Sequence, residues 1–486
     1  MTFEQFNELA KNHNLIPVYE VITADLLTPV AAYLKIRQSG KASFLLESVE
    51  GSLSLARYSF IGVDPEKTLK NKKKKLFISR NHQEIIEEKS IFDQLREEIN
   101  GIKQAKLPEL PSFTGGIVGF LGYENISLIE DILATNQFEE LNKFDSMLGI
   151  YKTILAFDHY KHQIIIITNV LVNDTNELEK DFEKAKKILN DLKIILLQSS
   201  ISTNIFKISE WLKNDFDKVS FNSLIINAKD EITKGEIIQI VLSKKFSAKF
   251  EGDLFNVYRA LRIINPSPYM YFLEFEDNSK IIGTSPEDLL QVKNLNARVL
   301  PIAGTRRRGK NEKEDIELEA DLLNDPKELA EHTMLVDLGR NDLGRVCKYG
   351  SVKVSELMKI QKYSHVMHIV SKVEGEIVDG KDSIDALKSC FPAGTVTGAP
   401  KIRAMQLISN FEKEERNVYA GAVGYLDFSG DLDMCIAIRT LFSKENLIYW
   451  QSGAGIVADS NPELEAKEII NKSAVMVNAL KYAEEL

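Results

Sequence analysis

Cysteine is scarce. Cys347, Cys390 and Cys435 are the only three in 486 residues; they lie far apart and no CxxC pair occurs. This argues against a disulfide scaffold and a thiolate metal centre, and it suits a reducing compartment, so a cytoplasmic protein is expected. No apolar run reaches membrane-spanning length. The first segment, MTFEQFNELAKNHNL, has acidic and polar residues where a signal peptide needs an unbroken apolar stretch. An excess of positive charge is missing too: the net charge is −10, which argues against nucleic acid as a partner. The one basic run, KTLKNKKKK over residues 67–75, reads as a solvated hairpin or loop lying between two strands. There is no P-loop GK[ST], no dinucleotide fingerprint, no G-x-S-x-G and no kinase signature, which lowers nucleotide, triad-hydrolase and kinase readings.

What is present describes a globular protein, with 44% hydrophobic and 27% charged residues. The length exceeds a usual single core and fits two unequal domains. The polar stretch at 199–204 divides them into 1–200 and 201–486. Patterning predicts helices over 2–12, 29–38 and 176–198 and strands over 16–22 and 42–47. Two β-rich runs, 148–158 and 163–168, read as a hairpin. The second half carries an expected strand over 291–299, helix over 315–338 with a break at Asp325–Pro326, three consecutive strands over 419–425, 432–441 and 447–452, and a terminal helix over 462–482. Short connections between strands with helices inserted between groups imply an α/β fold of the α+β type, with mixed or antiparallel sheets covered by helices. The glycines of GGIVGFLGY at 115–123 predict close backbone packing.

The stretch FPAGTVTGAPKIRAM at 391–405 places Gly394, Gly398, Thr395 and Thr397 in a turn before an amphipathic run, a geometry that suits an anion as well as an ordinary helix start. Glu328 and Glu331 share one helical face, and Glu465 and Glu468 share another. Facing each other, the two pairs would make an all-oxygen Mg²⁺ site; solvated helix surface is the simpler alternative. Lys472 lies four residues beyond Glu468. Arg439 sits in CIAIRT, an otherwise apolar strand, and needs either an internal carboxylate or a ligand. Gln239 is a polar group in an apolar strand. Glu287, at a Ser-Pro-Glu corner, is placed to hold a raised pKa and act as an acid. His365 and His368 are three apart on an expected strand, so they are poor joint ligands, and one of them is open to an acid/base role.

The ordered set PSPYM (266–270), GTSPE (283–287), PIAGTRRRG (301–309), AEHTMLVDLGRNDLGRV (330–346), YSHVMHIVS (363–371), FPAGTVTGAPKIRAM, YAGAVGY, CIAIRT and GAGIVADSNPELEAKEIINK resembles the chorismate-utilising enzymes over most of residues 220–475, and among them the anthranilate synthase component I branch. The resemblance implies a β-sandwich-like catalytic core surrounded by helices, an N-terminal regulatory region, and conversion of chorismate and ammonia to anthranilate and pyruvate. It implies Glu331 and Glu468 as Mg²⁺ ligands, with Glu328 and Glu465 close by. It also implies that Arg439 and Tyr419 bind the enolpyruvyl carboxylate, while Lys472, Thr395 and the amides of Gly453, Ala454 and Gly455 help fix the acid groups. Glu287 resembles the general acid and His368 the histidine of pyruvate elimination, leaving His365 structural. Relatives that use water carry a lysine where Gln239 stands, and many aminodeoxychorismate synthases carry a lysine where Ala303 stands; both residues here therefore favour anthranilate, with aminodeoxychorismate the alternative product. LLESVE (45–50) and RYSFIG (57–62) resemble the regulatory segment and imply a tryptophan site from Glu47, Ser48, Pro268, Tyr269 and Met270, with Ala56 replacing a common glycine. No glutaminase motif accompanies these, so glutamine use implies a separate amidotransferase subunit. A tryptophan sensor on the same scaffold is the non-enzyme alternative.

Overall fold

The computed structural model describes all residues except 49–56, 81–82, 132, 134–142, 213–217 and 364–365. Its described strands form two sheets of twelve. Both sheets mix strands from the two halves of the chain. In the first, Ser43–Glu47 pairs with Tyr269–Glu274; in the second, Gly116–Leu121 pairs with Ala422–Asp427. Both of these pairings are antiparallel.

The sheets stack as a sandwich with helices outside. The four isoleucines at 164–167 show how the sequence builds it. Ile165 and Ile167 enter the layer between the sheets with Phe44, Tyr271 and Phe442. Ile164 and Ile166 face the opposite way, with Phe182, Tyr258 and Leu480 of the covering helices. A strand buried on both faces needs a continuous apolar run instead of alternation. The second sheet has its own helical cover, built on residues such as Phe92, Leu387 and Met405. The expected fold class is borne out.

The glycine-rich run packs as closely as expected: a Cβ at Gly119 would lie 2.2 Å from the Met147 carbonyl oxygen. The helix break at Asp325 is also found. Asp325 caps Pro326–Gly344, accepting from the amides of Lys327 and Glu328, and Asn461 caps Pro462–Ala483 in the same way.

Several expected runs divide. Residues 148–158 belong to two strands in different sheets, Ser146–Tyr151 and Thr153–Asp158, because the chain crosses the sandwich at Lys152. Residues 291–299 form a tight hairpin of Asp288–Lys293 and Asn296–Val299. The lysine run forms a hairpin, as one of the two expected readings had it: Lys67–Lys72 is a strand paired with Lys75–Arg80, so the run is strand as well as connection. Lys72 is stabilised there by Asp145 at 3.0 Å and Glu415 at 3.2 Å.

Candidate active site

Two neighbouring strands change sheets at one place. Lys280–Ser285 lies in the first sheet and Asp288–Lys293 in the second, so the chain crosses at Pro286 and Glu287. Leu432–Ile436 lies in the second and Thr440–Lys444 in the first, so it crosses back at 437–439. The expected continuous strand through Arg439 is therefore corrected: Arg439 is a crossover residue with φ 49°. That left-handed backbone costs a non-glycine residue about 1–3 kcal/mol and persists where the surroundings over-determine it. They do so here. The Thr284 amide donates to the Arg439 carbonyl, and the Ile436 amide to the Glu287 carbonyl, each at 3.1 Å. The Ser285 hydroxyl donates to the Ile436 carbonyl at 2.7 Å.

A cavity of about 530 Å³ opens over the crossings. Of the residues singled out in the sequence, it brings together Glu287, His368, Thr395, Gln239, Arg439, Lys472, Glu331 and Ala303, with Pro268 at its wall. Burial pushes the Glu287 carboxyl up to about 7; Asp288 adds to the rise, while Thr395, Lys472 and Arg439 oppose it. Desolvation lowers the pKa of Arg439 and the nearby Glu287 carboxyl opposes this; among the described residues no carboxylate reaches ion-pair distance of it. The guanidinium thus lines the cavity with Glu287 as a longer-range charge neighbour and no direct ion pair.

His368 is held through Nδ1, 2.9 Å from the Gly304 carbonyl and 3.1 Å from the Thr305 hydroxyl. A carbonyl only accepts, so this bond puts the proton on Nδ1 and leaves the Nε2 lone pair available. Burial lowers the pKa of His368 below 6.5, and the Tyr363 ring packs edge-on at 5.6 Å. Gly304, Thr305 and Tyr363 were not singled out in the sequence; their signal was only proximity to PIAGT and to VMHIVS.

The glycines at 453 and 455 make room for polar side chains. A Cβ at Gly455 would come 2.7 Å from Gln239 Nε2, and one at Gly453 would come 2.3 Å from the Tyr419 hydroxyl. Lys472 Nζ donates to the Gly453 carbonyl at 3.1 Å. The large cavity is not lined by Tyr419, Gly453, Ala454 or Gly455. Tyr419 lines a separate space of about 30 Å³ and lies under the Arg416 guanidinium at 5.6 Å, and Ala454 is fully buried in the apolar core. Arg416 is a residue the sequence reading missed. It pairs with Glu412 and donates to the carbonyls of Val241 and Val396, each at 2.7 Å, clamping the 391–405 turn to the strand that carries Gln239.

The two glutamate-bearing helices approach each other. Burial raises the pKa of Glu331, and Glu328 and Glu468 raise it further; burial likewise raises Glu465, with Glu468 adding to it. Mutually repelling carboxylates with only oxygen donors are what a hard divalent cation relieves, so the residues fit Mg²⁺ in kind. They are not gathered to binding distance: among the described residues no cluster of three or more His, Cys, Asp or Glu is arranged to hold a metal. Glu468 instead pairs with Lys472 at 2.6 Å and Glu328 with Arg306 at 3.3 Å.

Glu47, Ser48, Pro268, Tyr269 and Met270 all line a second cavity, of about 150 Å³. Ser48 Oγ is buried without a hydrogen-bond partner among the described residues. Glu47 is already engaged, accepting from the Tyr258 hydroxyl and from Arg262 Nε at 3.1 Å. The expectations for His365, Ala56 and residues 49–50 fall outside the described residues.

Comparison with known proteins agrees with this geometry. The family described as chorismate binding enzyme matches residues 41–478. Anthranilate synthase component 1 of Aquifex aeolicus is 41% identical over 490 residues, covering 100% of this chain and 98% of that protein. The Acetivibrio thermocellus protein of the same name is 42% identical over 494 residues, covering 100% and 99%. The crystal structure of anthranilate synthase component I from Streptococcus pneumoniae superposes with a TM-score of 0.74 at 38% identity, covering 94% of this chain and 99% of that one.

Proposed function

The chain belongs to the chorismate binding enzymes and, within them, to the anthranilate synthase component 1 family, and from that premise we propose that it converts chorismate and ammonia to anthranilate and pyruvate as the first step of tryptophan biosynthesis. The observation that carries this reading is the single cavity that joins a carboxyl held near neutrality, Glu287, an unpaired guanidinium, Arg439, and a histidine with an available Nε2, His368.

Arg439 and Lys472 bind the substrate's carboxylates, with Thr395 beside them. Ammonia adds to the ring as the diene shifts, and the protonated Glu287 carboxyl gives its proton to the departing hydroxyl, which leaves as water. His368 Nε2 then takes a ring proton as the bond between the ring carbon and the enolpyruvyl oxygen breaks; the ring becomes aromatic, and the departing enolate takes up a proton at its methylene carbon and is released as pyruvate. Gln239 lines the cavity and supplies no base to activate water, which favours amination. Ala303, also in the wall, places no lysine at that position. Glu331 and Glu468, with Glu328 and Glu465 nearby, are the residues that would hold Mg²⁺, which supplies charge neutralisation for a bound carboxylate.

We read residues 1–200 as the regulatory region and 201–486 as the catalytic one. Tryptophan binds the second cavity, where Ser48 meets it with a free hydroxyl, and Pro268 gives the two cavities a common wall. Glutamine serves as nitrogen source through a partner amidotransferase subunit, and ammonium serves directly at high concentration. The protein acts in the cytoplasm, and no described helix is long and apolar enough to cross a membrane.

The test is product identification after incubation of the purified chain with chorismate, Mg²⁺ and excess ammonium. Anthranilate and pyruvate, suppressed by tryptophan, are expected. Aminodeoxychorismate without pyruvate would overturn the product, and isochorismate would overturn the reading of Gln239.

A further inference from the structure

Glu287 has two faces. With Thr395 and Leu335 it lines the large cavity and also a separate, adjoining chamber of about 50 Å³. That volume is several times what one water needs, provided polar partners are present. They are. Asp288, 6% exposed, lines the chamber with Oδ2 buried and unpartnered, while its Oδ1 accepts from the Leu300 amide at 3.2 Å. Thr395 Oγ1 is also buried; it faces Glu287 and lowers its pKa without completing a hydrogen bond. The lining runs out to Leu338 and Gly339, which are half-buried.

We propose that this chamber is a hydrated proton relay in which Asp288 reloads Glu287 between turnovers. The inference rests on the reading of Glu287 as the general acid. In each cycle the Glu287 carboxyl loses its proton to the departing hydroxyl and is left as a carboxylate. A chamber water gives it a proton and takes one from the Asp288 carboxyl. Asp288 is refilled from solvent, which receives the proton shed by the attacking nitrogen, so the cycle neither consumes nor releases protons. Asp288 does not touch substrate; it is a positioning residue that acts through Glu287.

The electrostatics suit such an exchange. Burial pushes both Asp288 and Glu287 up to about 7, so either carboxyl can hold a proton near neutrality. Arg298 favours the charged form of Asp288 and Asp433 opposes it; Lys472 and Arg439 face Glu287 from the other side. The remaining ionisable groups of the chamber wall are committed. Asp342 is paired with Lys401 at 2.7 Å, and burial pushes the Cys390 thiol up to about 12.

The experiment compares Asp288→Asn with the parent enzyme in the ammonium reaction. With enzyme in excess, a single turnover should remain within about twofold of the parent, while steady-state kcat falls about tenfold and the basic limb of its pH profile moves. An unchanged steady state and pH profile would overturn the relay, as would an equal fall in single and multiple turnover, which is the signature of a structural defect. Glu287→Gln separates the two readings: if it retains turnover, the acid assignment fails, whatever Asp288→Asn does. Should Asp288→Asn fail to fold, the parent enzyme decides in mixed light and heavy water. A curved dependence of steady-state kcat on deuterium fraction is expected; a linear one would overturn the proposal.

Discussion

Two cavities share Pro268 as a wall, and they treat charge in opposite ways. In the smaller, each acidic group has donors from the protein. Glu47 is met by Arg262 and Tyr258, and Asp433, whose pKa burial still raises, accepts from Tyr269 at 3.0 Å and Gln291 at 2.8 Å. In the larger, Arg439 has no ion-pair partner among the described residues, and Glu287 is held up at about 7 by burial. Charge left uncompensated in a buried site costs stability and is retained where a ligand or a reaction completes it. The contrast teaches that the smaller cavity is built for shape and a few polar contacts, and the larger for chemistry on an anion.

The sharpest way to break this comparison is to remove the acid. Glu287→Gln should lower kcat by about 10²–10⁴ with chorismate binding retained, read from steady-state anthranilate fluorescence. The parent enzyme should show a bell-shaped pH profile. Activity needs Glu287 protonated, so it falls as pH rises through about 7; it needs His368 neutral, so it falls again below the depressed histidine pKa, under 6.5. A flat profile across this range would count against both assignments. Next in size, Arg439→Ala removes the uncompensated charge. It should cost about 10–150-fold in kcat/KM, mainly through KM, as expected for a charge-assisted contact of roughly 1.5–3 kcal/mol. Glu331→Ala should raise the Mg²⁺ concentration needed for half-maximal activity by about tenfold or more with folding intact; an unchanged Mg²⁺ requirement would remove Glu331 from the metal site. The smallest effect is expected in the compensated cavity. Ser48→Ala should weaken tryptophan inhibition by about fivefold, roughly 1 kcal/mol, and leave kcat without tryptophan unchanged.

Much of the site was legible because it lies in local motifs. Glu287, His368, Thr395, Gln239, Arg439, Lys472 and Glu331 come from separate segments, and all reach one cavity. Tyr419 and Ala454 did not follow: Tyr419 lies in the turn before the strand Ala422–Asp427 and sits under Arg416, and Ala454, in the strand Leu447–Ile456, points into the core. Asp288 and Arg416 went unremarked because an isolated charge in a sequence carries no sign of burial.

By itself the sequence determined the family, the two glutamate-bearing helices with their Asp-Pro and Asn-Pro starts, and the apolar runs from which both sheets are made, because propensity, capping and hydrophobic periodicity act over a few residues. Only the tertiary structure decided that the run 432–441 breaks at Arg439 and passes between sheets. An arginine at φ 49° gives no turn signal of the kind glycine would; long-range pairing with Lys280–Ser285 and Asp288–Lys293 imposes it. The same crossing sets Glu287 between a large cavity and a small chamber, a position defined by contacts between segments more than a hundred residues apart.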